Sequence, residues 1–395
     1  MAQRIDIPRL SLQERDHRWG RVRQAMKERG LACIISPPNT GHWELFQADT
    51  RYLTSIGGNC SETACVFPLE GDPMAVVLNR PEFWAGAQDW VTDIRTPKHH
   101  TWSIPMLDRI RELGLESERI GVVGLGGGVR TPEGTISWGL YERIREGLPK
   151  AGFEDVTVMM GNLRSVKSQE ELACMERATA IVEHGIRVMS EVATPGARDF
   201  EVYAEVYGAM MKAGSEVPIM VLWGSGPGEA RDAFLPTHRR LEKGDRLDNE
   251  IEAKYLGYQA QRVQPAVLGD PPAAVLDAMN QHRSIFAATQ AQLKPGVPFG
   301  DIARVIDQVA AEAGCEVRLT MHGRGLGEDR PLLVGGDMTE ETAGFVLQEG
   351  NTFIMKPRVR TAHGAAVTWG DIVTVTPQGG RRLGKGAHEL LVIPC

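Results

Sequence analysis

The chain has 395 residues, 24% of them charged and 42% hydrophobic, with a net charge of −7 and a pI near 5.9. That length predicts two domains, and the composition is that of a soluble globular protein. The acidic balance excludes nucleic acid and anionic membrane as partners, because both require a basic face. No apolar run approaches the roughly 20 residues of a membrane helix. The opening Met1-Ala2-Gln3-Arg4-Ile5-Asp6 lacks the apolar core of a signal peptide. Six scattered cysteines (Cys33, Cys60, Cys65, Cys174, Cys315, Cys395) form no CxxC pair, which predicts free thiols and a cytoplasmic protein.

The first ~165 residues alternate helical and strand patterns, which predicts an α/β layer domain. Ser11 to Gly30 is charged and amphipathic and ends on a glycine stop. Leu31–Ile35, Arg51–Thr54, Ala64–Phe67, Ala75–Leu78 and Ile120–Val123 read as short strands. Gly124-Leu125-Gly126-Gly127-Gly128 follows a strand, but the third glycine of a dinucleotide loop would fall on Val129, so a tight turn is expected.

Ser168 followed by Glu171 is a capping box. The helix behind it carries Leu172, Met175, Val182, Ile186 and Met189 near a 3.6-residue period. An internal echo follows. Thr194-Pro195-Gly196 opens a helical stretch ending at Gly214, and Lys294-Pro295-Gly296 opens another ending at Gly314. Each glycine pair is 18 apart, and the two units are offset by 100 residues. Two related halves with a site between them are expected.

Several segments together resemble the creatinase, prolidase and aminopeptidase P group. Arg164-Ser165-Val166-Lys167-Ser168 is similar to that group's entry into its catalytic domain. Gly244-Asp245-Arg246-Leu247 with Gly257-Tyr258 resembles its first ligand hairpin, and His322-Gly323-Arg324-Gly325-Leu326 its histidine loop. Phe353-Ile354-Met355-Lys356-Pro357 and Trp369–Thr376 resemble its last two ligand strands. The resemblance implies an α/β (α+β) protein, with a creatinase-like α/β domain over 1–164 and a pseudo-twofold pita-bread catalytic domain over 165–395.

It also implies where metal ligands would stand. Metal-using members place aspartates where this chain has Glu250 and Gln261, a histidine where it has His322, and bridging glutamates where it has Lys356 and Gly370. Four of these five positions hold another residue. Two divalent ions need several anionic oxygens, and a lysine brings a positive charge and no acceptor. No metal and no other cofactor are therefore expected. Glu252, two residues from Glu250, leaves open a single ion held with Glu250 and His322. The better reading places the Lys356 ammonium where a metal stood, neutralised by Glu250. A structural salt bridge accounts for that pair equally well.

Creatinase shows that the fold can work without metal, with a histidine that shuttles protons. Here that position falls on Ala233 or Phe234, with His238 a few residues later. His322, flanked by Gly323 and Gly325, is the expected acid–base group. Glu250 and Lys356 complete the expected catalytic set. Glu252, Gln261, Arg324, Asp329, Arg330 and Arg358 are candidate substrate contacts, and Trp223 and Tyr258 candidate apolar walls. Arg324, Arg330, Arg358 and Arg360 favour an anionic small molecule. The expected function is a metal-independent hydrolase or lyase cleaving a C–N bond in a small carboxylate-bearing substrate. The alternatives are a catalytically silent binding protein and an Xaa-Pro-type metallopeptidase with atypical ligands. The resemblance further implies a homodimer, with Arg51 and the Asn59–Glu62 loop contributing.

Overall fold

A computed structural model describes residues 4–38, 48–58, 62–218, 220–229, 235–335 and 338–395. The chain divides into two compact units. One is Met1–Arg164 with Leu326–Glu328; the other is Ser165–Gly325 with Asp329–Cys395.

The first unit is built on a six-stranded mixed sheet. Its order is Asp93–Arg95, Met74–Val77, Thr63–Pro68, Cys33–Ser36, Arg119–Val122, Gly152–Asp155. Cys33–Ser36 runs antiparallel to Thr63–Pro68 and parallel to Arg119–Val122. The core includes Ile35, Val66, Val76, Met106, Ile110, Ile120 and Ile144. The first helix spans Leu12–Arg29. Ser11 caps its start, and Gly30 stops it at φ 64°, a left-handed conformation that a residue without Cβ adopts freely. Arg51–Thr54 is not a strand: it is the end of a helix, Ala48–Thr54. A four-residue segment has no period long enough to tell helix from strand.

The second unit holds two sheets, each covered by a helix pair. The first has the order Leu391–Ile393, Ala266–Leu268, Arg246–Tyr255, Leu222–Gly226, with Tyr258–Arg262 hairpinned onto Arg246–Tyr255. Helices Gln169–Val192 and Asp199–Lys212 cover it through Ile181, Met189, Val206 and Met210. The second has the order Leu332–Leu333, Cys315–Gly323, Thr352–Thr361, Asp371–Thr376, Gly379–Arg382. Helices Ala273–Gln292 and Phe299–Ala313 cover it through Ile285, Phe286, Phe299 and Ile306.

The internal echo is visible in the backbone. Gly196 and Gly296 have φ 91° and 86°. Each donates its N–H across to a carbonyl, Leu241 in one half and Leu347 in the other, both at 2.8 Å. The Ser168–Glu171 capping box forms reciprocally, at 3.1 and 2.9 Å. Among the described residues, Cys33, Cys65, Cys315 and Cys395 are free thiols, and no helix is long and apolar enough to cross a membrane.

Candidate functional site

Strand alternation places the charges. In the hairpin strand Arg246–Tyr255, Leu247, Ile251 and Ala253 enter the core beneath the helices. Asp248, Glu250, Glu252 and Lys254 therefore share the opposite face. In the strand Thr352–Thr361, Phe353, Met355 and Val359 enter the other core, which leaves Lys356, Arg358 and Arg360 on the far face. The two charged faces meet at Glu250 and Lys356. The Lys356 Nζ donates to Glu250 Oε2 at 2.6 Å and to Gln261 Oε1 at 3.2 Å. Gln261 Nε2 closes the triangle by donating to the same Glu250 oxygen at 3.2 Å. The Lys356 side chain is 8% exposed and that of Glu250 24%.

A cleft of about 700 Å³ reaches this cluster through Glu250, the one member of the three that lines it. Its wall includes Glu250 with Asp248, Glu229 and Glu316, facing Arg318, Arg358 and Arg360. Glu229 grips Arg358 with both oxygens, at 2.7 and 2.8 Å, and stands 3.6 Å from Arg360. Burial raises the Glu229 carboxyl, but the guanidinium hydrogen bond and charge outweigh it and hold the group below its ordinary range. Asp248 is tied to Arg246 at 2.8 Å. Sequence reading overlooked Glu229, Asp248 and Arg318. For Arg318 the signal was available, because it alternates with Thr320 and His322 on one strand.

Several candidates do not reach the cleft. Glu252 and Arg324 pair at 2.9 Å with both side chains almost fully buried, and Arg324 also donates to Gln259 at 3.0 Å. Glu252 is thus committed to a guanidinium, and Arg324 is withdrawn from any ligand. Asp329 pairs with Lys167 at 2.9 Å, each side chain 1% exposed. Gly323 and Gly325 make room for those groups and not for a substrate. A Cβ on Gly323 would meet the Asp329 carbonyl oxygen at 2.5 Å, and one on Gly325 the Lys167 side chain at 2.5 Å. Arg330 pairs with Glu341. Trp223 lies in the core and donates its indole N–H to Asp199 at 2.7 Å. Tyr258 is buried and donates to Glu171 at 2.8 Å. Neither ring lines the cleft. His322 shares the Lys356 face by register but is buried, with 1% exposure. The expected shuttle positions Ala233 and Phe234 lie outside the described residues, as do Asn59, Cys60 and Ser61. His238 packs against Phe200, with ring centroids 5.1 Å apart and planes tilted by 56°.

Behind Lys356, His282 hydrogen-bonds the Pro357 carbonyl at 2.9 Å and His388 at 3.0 Å. Burial lowers His282 to about 4 and His388 to about 2, so both rings are neutral near pH 7. With Nε2–H donating to the carbonyl, His282 Nδ1 is the acceptor for His388.

The comparisons with known proteins agree with this architecture. The family profile described as Metallopeptidase family M24 matches residues 173–377. The chain belongs to metallopeptidase family M24. A second profile, the Creatinase/Prolidase N-terminal domain, matches residues 18–166. An Xaa-Pro dipeptidase of Pyrococcus furiosus is 27% identical over 296 residues, 72% of this chain and 78% of that protein. A probable dipeptidase PepE of Mycobacterium tuberculosis is 27% identical over 243 residues, 60% of this chain and 63% of the relative. An X-Pro aminopeptidase from Thermotoga maritima superposes with a TM-score of 0.78 at 16% identity, covering 95% of this chain and 99% of that one. Dipeptidase PepE from Mycobacterium ulcerans gives 0.73 at 24% identity, covering 98% and 100%. These superpositions establish the fold: an N-terminal creatinase-type domain and an M24 pita-bread domain.

The M24 family name implies metal, and the residues here do not fit a pair of divalent ions. An ammonium stands between the only carboxylate and the amide of the implied ligand set. The Gly370 position admits no side chain as the strands stand. A Cβ there would meet Lys356 Cβ at 2.5 Å and Met355 O at 3.1 Å. Among the described residues, no group of three His, Cys, Asp or Glu side chains is placed to hold an ion.

Proposed function

We propose that this M24 member is a metal-independent hydrolase that cleaves a C–N bond in a small carboxylate-bearing substrate. The observation that carries the reading is the Lys356 ammonium, bonded to Glu250 and Gln261 where the family resemblance implies metal ligands. Lys356 donates to the oxygen of the substrate carbonyl and stabilises the charge that develops there. Glu250, which lines the cleft, takes a proton from the attacking water. The water oxygen bonds to the acyl carbon, the C–N bond breaks, and that proton leaves with the amine. The acid–base role passes from His322 to Glu250, because a base must lie within hydrogen-bond reach of the proton it removes. The volume of about 700 Å³ suits a small molecule. A homodimer in the cytoplasm belongs to the same reading.

Elemental analysis before and after incubation with manganese, cobalt, zinc and iron tests it, together with a screen of N-acyl amino acids. Substoichiometric metal throughout, with turnover abolished in Lys356→Ala, is the expected result. One or two tightly held equivalents overturn the metal-independent reading and return the chain to the metal-using peptidases. Metal-free protein without turnover on any acyl amino acid favours a silent binding protein.

A further inference from the structure

On the helix Ala273–Gln292 the buried positions Ala278, Met279, His282, Ile285, Phe286 and Thr289 form one stripe. His282 stands in the middle of it, with no exposed surface. A polar ring at such a position costs stability unless its nitrogens are bonded. Both are bonded, and the Nε2 bond leads to the strand that carries Lys356.

That strand has a gap in its ladder. Met355 faces Asp371, and Arg358 faces Thr368. The same register would set Lys356 opposite Gly370 and Pro357 opposite Trp369, but neither pair joins the ladder. Proline brings a carbonyl and no N–H to such a rung. His282 Nε2 occupies the opening, 2.9 Å from the Pro357 carbonyl and 3.3 Å from the Trp369 nitrogen. On the next rung the Gly370 backbone turns to the other sheet. It donates to the Val263 carbonyl and accepts from the Val263 N–H, both at 3.1 Å. Val263 directly follows the strand Tyr258–Arg262, which carries Gln261 and is hairpinned onto the strand of Glu250. One imidazole therefore holds the two residues that flank Lys356 and Gly370. The backbone link to the sheet of Glu250 and Gln261 is made at that same point.

We infer that His282 is a positioning residue for Lys356. Its ring fills the gap in the ladder, so that Gly370 crosses to Val263 and Lys356 is held against Glu250 and Gln261. His388 fixes the ring from behind: it bonds Nδ1 at 3.0 Å and stacks on Trp369 with centroids 3.9 Å apart. The effect on turnover rests on the proposed hydrolase reading; the placement of Lys356 does not.

NMR of the full chain, carrying lysine labelled at its side-chain nitrogen, tests this through the Lys356 Nζ signal. Loss of that signal in Lys356→Met assigns it. His282→Gln and His282→Asn are the variants to compare. A glutamine amide reaches the place of Nε2–H, whereas an asparagine amide reaches only that of Nδ1. Both variants lose the ring, so the general cost of losing it is common to them. The Lys356 signal should keep its wild-type position in His282→Gln and be displaced in His282→Asn. Amide exchange of Gly370 and Val263 should quicken only in His282→Asn. On any N-acyl amino acid that is turned over, His282→Asn should lower kcat about ten-fold or more at nearly constant KM, and His282→Gln should restore it. Should His282→Asn not fold, His388→Phe keeps an aromatic ring on Trp369, removes the donor to Nδ1, and should displace the same signal. A Lys356 signal unchanged in His282→Asn or in His388→Phe overturns the positioning role, as does one displaced equally in His282→Gln and His282→Asn. A signal displaced in His282→Asn and restored in His282→Gln, without turnover of any acyl amino acid, keeps that role and refutes the hydrolase. Turnover that ignores both substitutions refutes the positioning role and leaves the hydrolase standing.

Discussion

The Lys356–Glu250 pair makes a prediction that a double-mutant cycle can decide. At 2.6 Å and an effective dielectric near 20, the gross attraction is about 6 kcal/mol. Most of that is offset by desolvation, which costs several kcal/mol per ion. The two ions do not carry that cost equally. Glu250 keeps 24% of its side-chain surface and Lys356 only 8%. Lys356→Met leaves a carboxylate that water can still reach and that Gln261 Nε2 still touches, so a loss of about 2 kcal/mol is expected. Glu250→Gln leaves a more deeply buried ammonium, and about 3 kcal/mol is expected. The double variant removes both charges and should lose no more than about 1 kcal/mol, a strongly non-additive result. The chain has two units and need not unfold in one step. Native-state hydrogen exchange of the Arg246–Tyr255 strand therefore measures the site more directly than a global melt. A coupling energy below about 0.5 kcal/mol, within ordinary additivity, refutes the claim that the two groups stand or fall together.

Two further outcomes follow from the same strands. Gly370→Ala places a methyl 2.5 Å from Lys356 Cβ and 3.2 Å from its Cα, atoms that cannot swing away. It should destabilise by about 3 kcal/mol, read as a lowered melting temperature; an unchanged melt would falsify the close approach. Lys254 is lowered to about 7 by burial, against 10.5 for the ordinary side chain. Its folded-state pKa lies below its unfolded value, so below pH 7 both states hold the proton and the burial cost is fully present. Between pH 7 and 10.5 the unfolded state binds more protons, and stability rises with pH. Lys254→Met should flatten that rise, and parallel urea profiles for the two proteins at pH 6.5 and 9.5 would count against it.

The parts of the fold that repeat or cap were legible in the sequence. The Ser168–Glu171 box, the Gly30 stop and the Gly196/Gly296 echo are local, and each residue type has one physical reason to be there. The Lys356–Glu250 contact was legible through resemblance, which fixed the register of strands more than a hundred residues apart. What misled was treating charge as availability. Arg324, Asp329 and Glu252 stand on motif positions, yet each is consumed by a buried partner. Trp223 and Tyr258 likewise spend their polar atoms inward, on Asp199 and Glu171. Those partners come from distant segments, and periodicity carries no information about them.

The altered ligand positions form one charge-consistent set and not a scatter of losses. One ammonium neutralises one carboxylate, and the site contains one of each, Lys356 and Glu250. A second carboxylate at position 261 would leave net negative charge in a layer where Gln261 is 1% exposed. The neutral amide instead donates to Glu250 and accepts from Lys356. A carboxylate at position 370 would repeat the excess, and Gly370 removes both the charge and the volume while its backbone closes on Val263 at 3.1 Å. Restoring a carboxylate at position 261, 356 or 370 alone therefore unbalances the remaining set. The close approach at Gly370 makes the change geometric as well as electrostatic, so the site reads as a settled arrangement built around an internal cation.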